Sequence, residues 1–167
     1  MNSKQVVAGV SAVILVVILV YPALSMGTVS VSLSSAGINK ADHVYVTIDS
    51  VWVHPKGEAS GGGWKVVSNQ SVNMDLVSLE NSTKLLGSGQ VPSGDYDSVR
   101  IEVSNVTWVF NKTTTTLGIA SPEVDGTLDF TVGAGKGTNV VITLSSQQQL
   151  IANSEYYTAT MNATQTT

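Results

Sequence analysis

Apolar and polar residues alternate in short runs along most of the chain, the period of two that a half-buried β-strand imposes. From Thr28 to Ser34 the alternation is unbroken, with Val29, Val31 and Leu33 on one face. Val44, Val46 and Ile48 alternate next, and Val51 and Val53 continue after a slip of one residue at Asp49–Ser50. Such a slip predicts a β-bulge, because one inserted residue is what returns the apolar side chains to the same face. Shorter runs lie at Trp64–Val67 and Val72–Leu76. A long run follows, through Val99, Ile101, Val103, Val106 and Trp108, with a second slip at Ser104–Asn105. Leu128–Val132, Asn139–Leu144 and Glu155–Met161 complete the set.

Turn signals separate these runs: Pro55-Lys56-Gly57, Gly61-Gly62-Gly63, Pro92-Ser93-Gly94, Asp125-Gly126 and Gly133-Ala134-Gly135-Lys136-Gly137. No helical period competes, although Leu76–Leu86 and Ser145–Ile151 each have room for one helical turn. The pattern predicts an all-β fold, an antiparallel β-sandwich of immunoglobulin-like or transthyretin-like form.

The first residues follow a different rule. Val6 to Leu24 is apolar, with Lys4 as the only charged side chain ahead of it. Nineteen residues at a helical rise span about 28 Å, close to the ~30 Å of a bilayer core. The basic flank orients such a hydrophobic helix with its amino end in the cytoplasm. Two readings stand side by side. Ala23 and Ser25 place small residues ahead of a signal-cleavage point between Ser25 and Met26, after the helix breaker Pro22. The run also exceeds the usual 7–15 residue signal core, which favours a retained transmembrane anchor. A prepilin leader is the weaker third, since Lys4 is followed by Gln5 rather than a small residue. All three divide the chain into residues 1–26, signal peptide or single anchor, and residues 27–167, one exported domain. They put that domain outside the cytoplasm, secreted or held at the cell membrane.

Composition narrows the function. Only 12% of the 167 residues are charged and the net charge is −4, so no basic patch exists for nucleic acid. The chain has no cysteine, which excludes a disulfide framework, thiolate metal ligation, a cysteine nucleophile and a lipidated cysteine. Ser, Thr, Asn and Gly supply the polar surface instead. Asn-x-Ser/Thr occurs at Asn69, Asn81, Asn105, Asn111 and Asn162, a modest excess over chance, and export makes these candidate N-glycosylation sites. Asn81 and Asn111 fall in turn-like stretches. The threonine runs 113–116 and 158–167 are weaker candidates for O-linked sugar.

Catalytic and metal chemistry find little support. His43 and His54 are the only imidazoles. At opposite ends of one predicted strand they would stand about 36 Å apart at ~3.3 Å per residue, too far to share a metal ion. No Gly-x-Ser-x-Gly elbow marks a nucleophile. Asp95, Asp97 and Glu102 cluster, as do Glu123, Asp125 and Asp129, but Glu123-Val124-Asp125-Gly126 is only a fragment of a calcium loop. The Gly133–Gly137 segment lacks the Lys-Ser/Thr ending of a phosphate loop and reads as a hairpin turn. Trp52, Trp64 and Trp108 suit a core better than a sugar-binding face. No catalytic residue, metal ligand or cofactor is expected.

The order of the motifs resembles an exported β-sandwich family of archaea and bacteria known only as a domain of unknown function. Its opening strand is matched by Gly27-Thr28-Val29-Ser30-Val31-Ser32-Leu33-Ser34-Ser35-Ala36, and its second by Val44-Tyr45-Val46-Thr47-Ile48 through Val51-Trp52-Val53-His54. Gly63-Trp64 and Asp75-Leu76-Val77-Ser78-Leu79 follow, then Leu86-Gly87 and the segment from Pro92-Ser93-Gly94-Asp95-Tyr96 to Arg100-Ile101. Together these cover residues 27 to 103. Two positions depart from the family pattern: the opening turn has Ser35 in place of the usual Asp, and the lipoprotein cysteine of many members is missing. The resemblance implies a sandwich and no established activity.

The expectation is therefore a non-catalytic cell-surface or secreted protein with a structural or adhesive role. Its partners would be the membrane, through an uncleaved span, copies of itself, and glycans. Two alternatives remain: a pilus-like filament subunit, in which the Gly27–Ser34 strand completes a neighbour's sheet, and a carbohydrate-binding module with exposed tryptophans.

Overall fold

The computed structural model describes residues 25–38, 41–59, 61–151 and 154–166. The hydrophobic run at 6–24 lies outside the described residues. Among those described, no helix is long and apolar enough to cross a membrane.

Eleven strands occur among the described residues: β1 (Met26–Ala36), β2 (His43–Pro55), β3 (Lys65–Ser68), β4 (Val72–Asp75), β5 (Lys84–Pro92), β6 (Gly94–Phe110), β7 (Thr113–Thr116), β8 (Gly118–Ile119), β9 (Glu123–Val132), β10 (Gly137–Ile151) and β11 (Ser154–Thr166). One 3₁₀ turn, Val77–Leu79, fills the place where a helical turn was expected between Leu76 and Leu86. The other expected turn, at Ser145–Ile151, is instead the end of β10, paired residue for residue with β11. The cross-strand ladder there outweighs the weak local preference of a Ser/Gln run.

The first sheet runs β5-β1-β10-β11-β8. In the second, β2 and β6 pair at the centre, β3 and β4 share the outer edge of β2, and β7 and β9 share the outer edge of β6. The sheets are mixed rather than wholly antiparallel, because β1 runs parallel to β10 and β8 runs parallel to β11. Alternation says which face a residue takes and nothing about strand direction. A parallel neighbour needs only a long crossover, and most of the chain lies between β1 and β10. The Gly133–Gly137 segment is likewise not a hairpin. It carries the chain from β9 in the second sheet to β10 in the first.

Both phase slips are bulges, and they face one another. Across β2 and β6, Thr47 pairs Asn105, Ile48 pairs Val103 and Ser50 pairs Glu102, leaving Asp49 and Ser104 as the extra residues. The Ser71 hydroxyl donates to Asp49 at 2.6 Å, and hydrogen bonds from Ser71 and Ser104 hold the Asp49 carboxyl below its usual pKa. Matched insertions let the inward faces stay in register: Val44, Val46, Ile48, Val51 and Val53 oppose Trp108, Val106, Val103, Ile101 and Val99. With Val29, Val31 and Leu33 of β1 and Val140, Ile142 and Leu144 of β10 they form one buried cluster shared by both sheets. Each such side chain contributes about 1.5–3 kcal/mol on burial. The arrangement is a two-sheet, sandwich-like, all-β domain.

Several buried polar groups of the described residues are hydrogen-bonded. Tyr157 and Ser146 share a 2.8 Å hydrogen bond between β11 and β10, and burial pushes the tyrosine hydroxyl up to about 12 although the serine opposes the shift. Ser35, 2% exposed, donates to the Leu76 carbonyl. A carbonyl only accepts, so a hydroxyl fits here where an ionised carboxylate would not. The Tyr96 ring stacks on Phe130 and its hydroxyl donates to the Pro92 carbonyl at 2.6 Å, closing the Pro-Ser-Gly turn between β5 and β6.

One flank of the sandwich is closed by β3 against β5. A Cβ built on Gly89 collides with the Val67 carbonyl, and one on Gly87 collides with the Ser68 side chain. Glycine is required there by backbone-to-backbone approach rather than by φ. Gly89→Ala is expected to cost about 1–3 kcal/mol, as overpacking does. Gly61→Ala, with open space around its Cβ, should stay within about 0.5 kcal/mol of wild type. Urea denaturation of the two variants checks both.

Candidate functional site

The outer face of the second sheet carries three rows of polar and aromatic side chains, set by the register of β2, β6 and β9. Ser50 lies beside Glu102 and Glu123, Trp52 beside Arg100 and Asp125, and His54 beside Ser98 and Thr127. These are the outward positions left when Val51, Val53, Val99 and Ile101 point inward.

Arg100, the chain's single arginine, organises the middle row. Its Nε and Nη2 donate to the two Asp125 oxygens at 2.7 and 2.8 Å, and Nη1 lies 2.7 Å from Glu123. Its guanidinium carbon sits 4.2 Å from the centre of the Trp64 ring. This is a bidentate ion pair capped by a cation–π contact. Trp52 Nε1 donates to Ser50 at 2.7 Å, and Ser50 donates on to Glu102 at 3.0 Å. Between Trp52, Trp64, Arg100, Glu102 and Glu123 a groove of about 220 Å³ remains. The Trp64 indole N–H is buried without a partner among the described residues.

His54 closes the third row. It is only 4% exposed although it faces outward, because the segment after Pro55 folds back over it. Nδ1 lies 2.9 Å from Asp97 Oδ1 and Nε2 lies 3.2 Å from the Ala59 carbonyl. Both partners are acceptors, so both ring nitrogens donate and the imidazolium is the form that fits. Burial works against that charge, but Asp97, the Ala59 carbonyl and the backbone at Gly62 outweigh it and raise the pKa above 6.5. Burial also opposes ionisation of Asp97, yet its hydrogen bonds from His54 and Ser98 hold the carboxyl below 3.8. A register shift between Tyr96 and Ser98 makes Asp97 the bulged residue of β6, which aims its carboxylate at His54.

Several sequence expectations meet the structure here. His43 and His54 occupy the two ends of β2, each with its own carboxylate, Asp75 and Asp97. Glu123 to Gly126 is neither a calcium loop nor, at Asp125–Gly126, a turn. It lies inside β9 with both carboxylates held by Arg100. Among the described residues no group of three metal-ligating side chains comes together. Trp108 is in the core, 6% exposed, whereas Trp52 and Trp64 are half-buried on the outer face. Asn69, Asn81, Asn105, Asn111 and Asn162 are all exposed, Asn81 and Asn111 in turns, Asn69 in the β3–β4 loop, and Asn105 and Asn162 on strands. Ser25 and Met26 stand at the very start of β1, where the Ser93 N–H donates to the Ser25 carbonyl at 2.5 Å. The Gly27–Ser34 segment sits inside its own sheet, bonded to β5 and β10. Sequence reasoning passed over Arg100 as a site residue. Its signal was its uniqueness together with an outward phase opposite Trp52.

The fold and this outer face define an all-β, two-sheet domain whose single arginine and both histidines are paired with carboxylates. The chain belongs to a family described as a domain of unknown function (DUF4382), whose model matches residues 26–159. No curated protein matches it. Among solved structures it is similar to a leucine-rich repeat protein from Bacteroides thetaiotaomicron, at 15% identity and a TM-score of 0.28, over 70% of this chain and 13% of that one.

The His54 pair predicts a pH profile with a definite sign. A pKa raised on folding adds stability below about 6.5, and that stability is lost as pH rises through the folded value. The lowered pKa values of Asp97 and Asp49 act oppositely, their contribution being lost as pH falls through the folded values below 3.8. The urea midpoint should therefore be highest between these limits. His54→Gln should flatten the alkaline limb and leave the Asp49 part of the acid limb.

Proposed function

We propose that this chain is a non-catalytic, exported β-sandwich domain with a structural or adhesive role at the cell surface, released or held there by its hydrophobic N-terminal segment. The observation that carries the reading is the commitment of the buried His54, at both ring nitrogens, and of Arg100. Both histidines and the single arginine have carboxylate partners within 2.9 Å. An imidazolium donating from both nitrogens has no lone pair with which to act as a base. The charge-poor hydrophilic surface and five exposed sequons suit an exterior covered by glycan.

The groove beside Trp52 and Trp64 favours carbohydrate binding as a second reading. Aromatic faces with carboxylate and guanidinium groups at their edge offer both stacking and hydrogen bonding to a sugar. This reading requires no change in the fold.

Cell fractionation and sequencing of the amino-terminal peptide of the native protein test the first reading. An exterior protein starting at Met26, or an exterior protein retaining residues 6–24, supports it; a cytoplasmic protein overturns it. Retardation in glycan-containing gels, lost on Trp52→Ala or Trp64→Ala, would establish the second. Unchanged mobility across a panel of glycans would dismiss it.

A further inference from the structure

The tip of the β6–β7 hairpin, β10 at Gln148 and β11 at Glu155 leave between them a groove of about 450 Å³. That is within the ~300–1,000 Å³ of small-molecule sites. Trp108, Phe110, Asn111 and Thr113 line it from one side, and Gln148 and Glu155 from the other. Phe110 is 46% exposed, among the few large apolar side chains of the described residues that face water.

The hairpin tip is a two-residue turn. Phe110 pairs with Thr113, and between them Asn111 and Lys112 have φ of 49° and 64°. Two consecutive positive φ values in a two-residue loop are the signature of a type I′ turn. The same four residues contain the sequon Asn111-Lys112-Thr113. Of the five sequon asparagines, Asn111 alone follows an aromatic residue, the others following Ser68, Glu80, Ser104 and Met161.

We propose that Asn111 is N-glycosylated and that the attached sugar lies in this groove against the Phe110 ring. The step joins Asn111 Nδ2 to the anomeric carbon of a sugar supplied by a lipid-linked phosphosugar. The amide loses a proton and the lipid phosphate leaves. Once attached, the sugar places its C–H face over an aromatic ring that otherwise meets water. Thr113, Gln148 and Glu155 provide hydrogen-bond partners at its rim. The glycan then covers the groove and holds a hairpin whose turn requires an unusual backbone conformation. The inference rests on the exported reading above, since the transfer machinery acts outside the cytoplasm.

Peptide mapping of the full-length protein from its own cells reads occupancy at each sequon. Sugar on Asn111 is the expected result. A bare Asn111 beside modified Asn69 or Asn81 overturns this proposal while leaving export intact. A bare chain confined to the cytoplasm overturns both. The groove itself is tested by a cycle on full-length protein from a glycosylating host, combining Asn111→Gln with Phe110→Ala. Loss of the Asn111 glycan should raise the unfolding equilibrium constant about threefold to tenfold more with Phe110 present than in the Phe110→Ala background. The strain that Asn111→Gln brings to the turn is common to both backgrounds and cancels. Ring-current shifts of the first sugar's protons, lost in Phe110→Ala and kept in Phe110→Tyr, provide a readout independent of stability. Equal glycan effects in both backgrounds, with unshifted sugar protons, would overturn the assignment.

Discussion

Everything in this domain hangs on the pairing of β2 with β6. These two strands form the centre of the second sheet, contribute the longest stretch of facing apolar residues, and among the described residues are the only strands with which β3, β4, β7 and β9 pair. Their pairing survives two insertions because the insertions are matched. Without the extra residue in β2, Val51 and Val53 would point outward and Trp52 and His54 would enter the core, since a slip of one residue exchanges the two faces of a strand. Asp49 and Ser104 face each other and cancel. The Asp49 carboxylate, accepting hydroxyl hydrogens from Ser71 and Ser104, satisfies the local irregularity with short side chains. A third irregularity, at Asp97, is not cancelled in this way, and it is the one that positions a charge.

The scarcity of charge gives each ion pair a local task. Arg100 ties β6 to β9 through Asp125 and Glu123 and supports Trp64 from below. His54 fastens the strap that follows β2 by reaching Asp97 on one side and the Ala59 carbonyl on the other. Exposed pairs such as Lys56 with Asp129, whose side chains are 54% and 72% exposed, contribute little, because water screens them and two flexible chains must be ordered. The buried histidine differs. Its partners replace the hydration it loses, so its charge state is coupled to whether the strap stays down.

Period-two alternation made much of this legible. The apolar faces of β1, β2, β6, β9, β10 and β11 follow directly from it, as do both facing bulges. It carries no information on strand direction or on which strands are neighbours, and that is why the parallel β1–β10 pair and the crossover at Gly133–Gly137 could not be read. β5 was missed for a related reason. Its sequence, Lys-Leu-Leu-Gly-Ser-Gly-Gln-Val-Pro, has two glycines inside it and no clean alternation. Those glycines are required by contact with β3, a tertiary fact that overrides their poor local strand preference. The same limit applies to the outer face. Arg100, Glu102, Trp52 and His54 are each visibly outward in phase, but only the register of β2 on β6 makes them one cluster.

The start of β1 joins these threads. The Gly135 N–H donates to the Met26 carbonyl at 2.8 Å, the Thr28 N–H donates to the Lys136 carbonyl at 2.9 Å, and the Ser93 N–H donates to Ser25. A Cβ on Gly27 would strike the Gly133 carbonyl and Val132. The strand is thus clamped at its first residues by both crossover turns and then flanked along its length by β5 and β10. A pull applied at Ser25 along the strand loads the hydrogen bonds of both ladders together, in shear, instead of opening them one at a time from an end. An interior strand bonded on both sides resists such a pull better than an edge strand would. The clamp also makes any exchange of β1 between copies expensive, since both ladders, the Gly27 packing and the burial of Val29, Val31 and Leu33 must be given up before a neighbour's sheet can replace them.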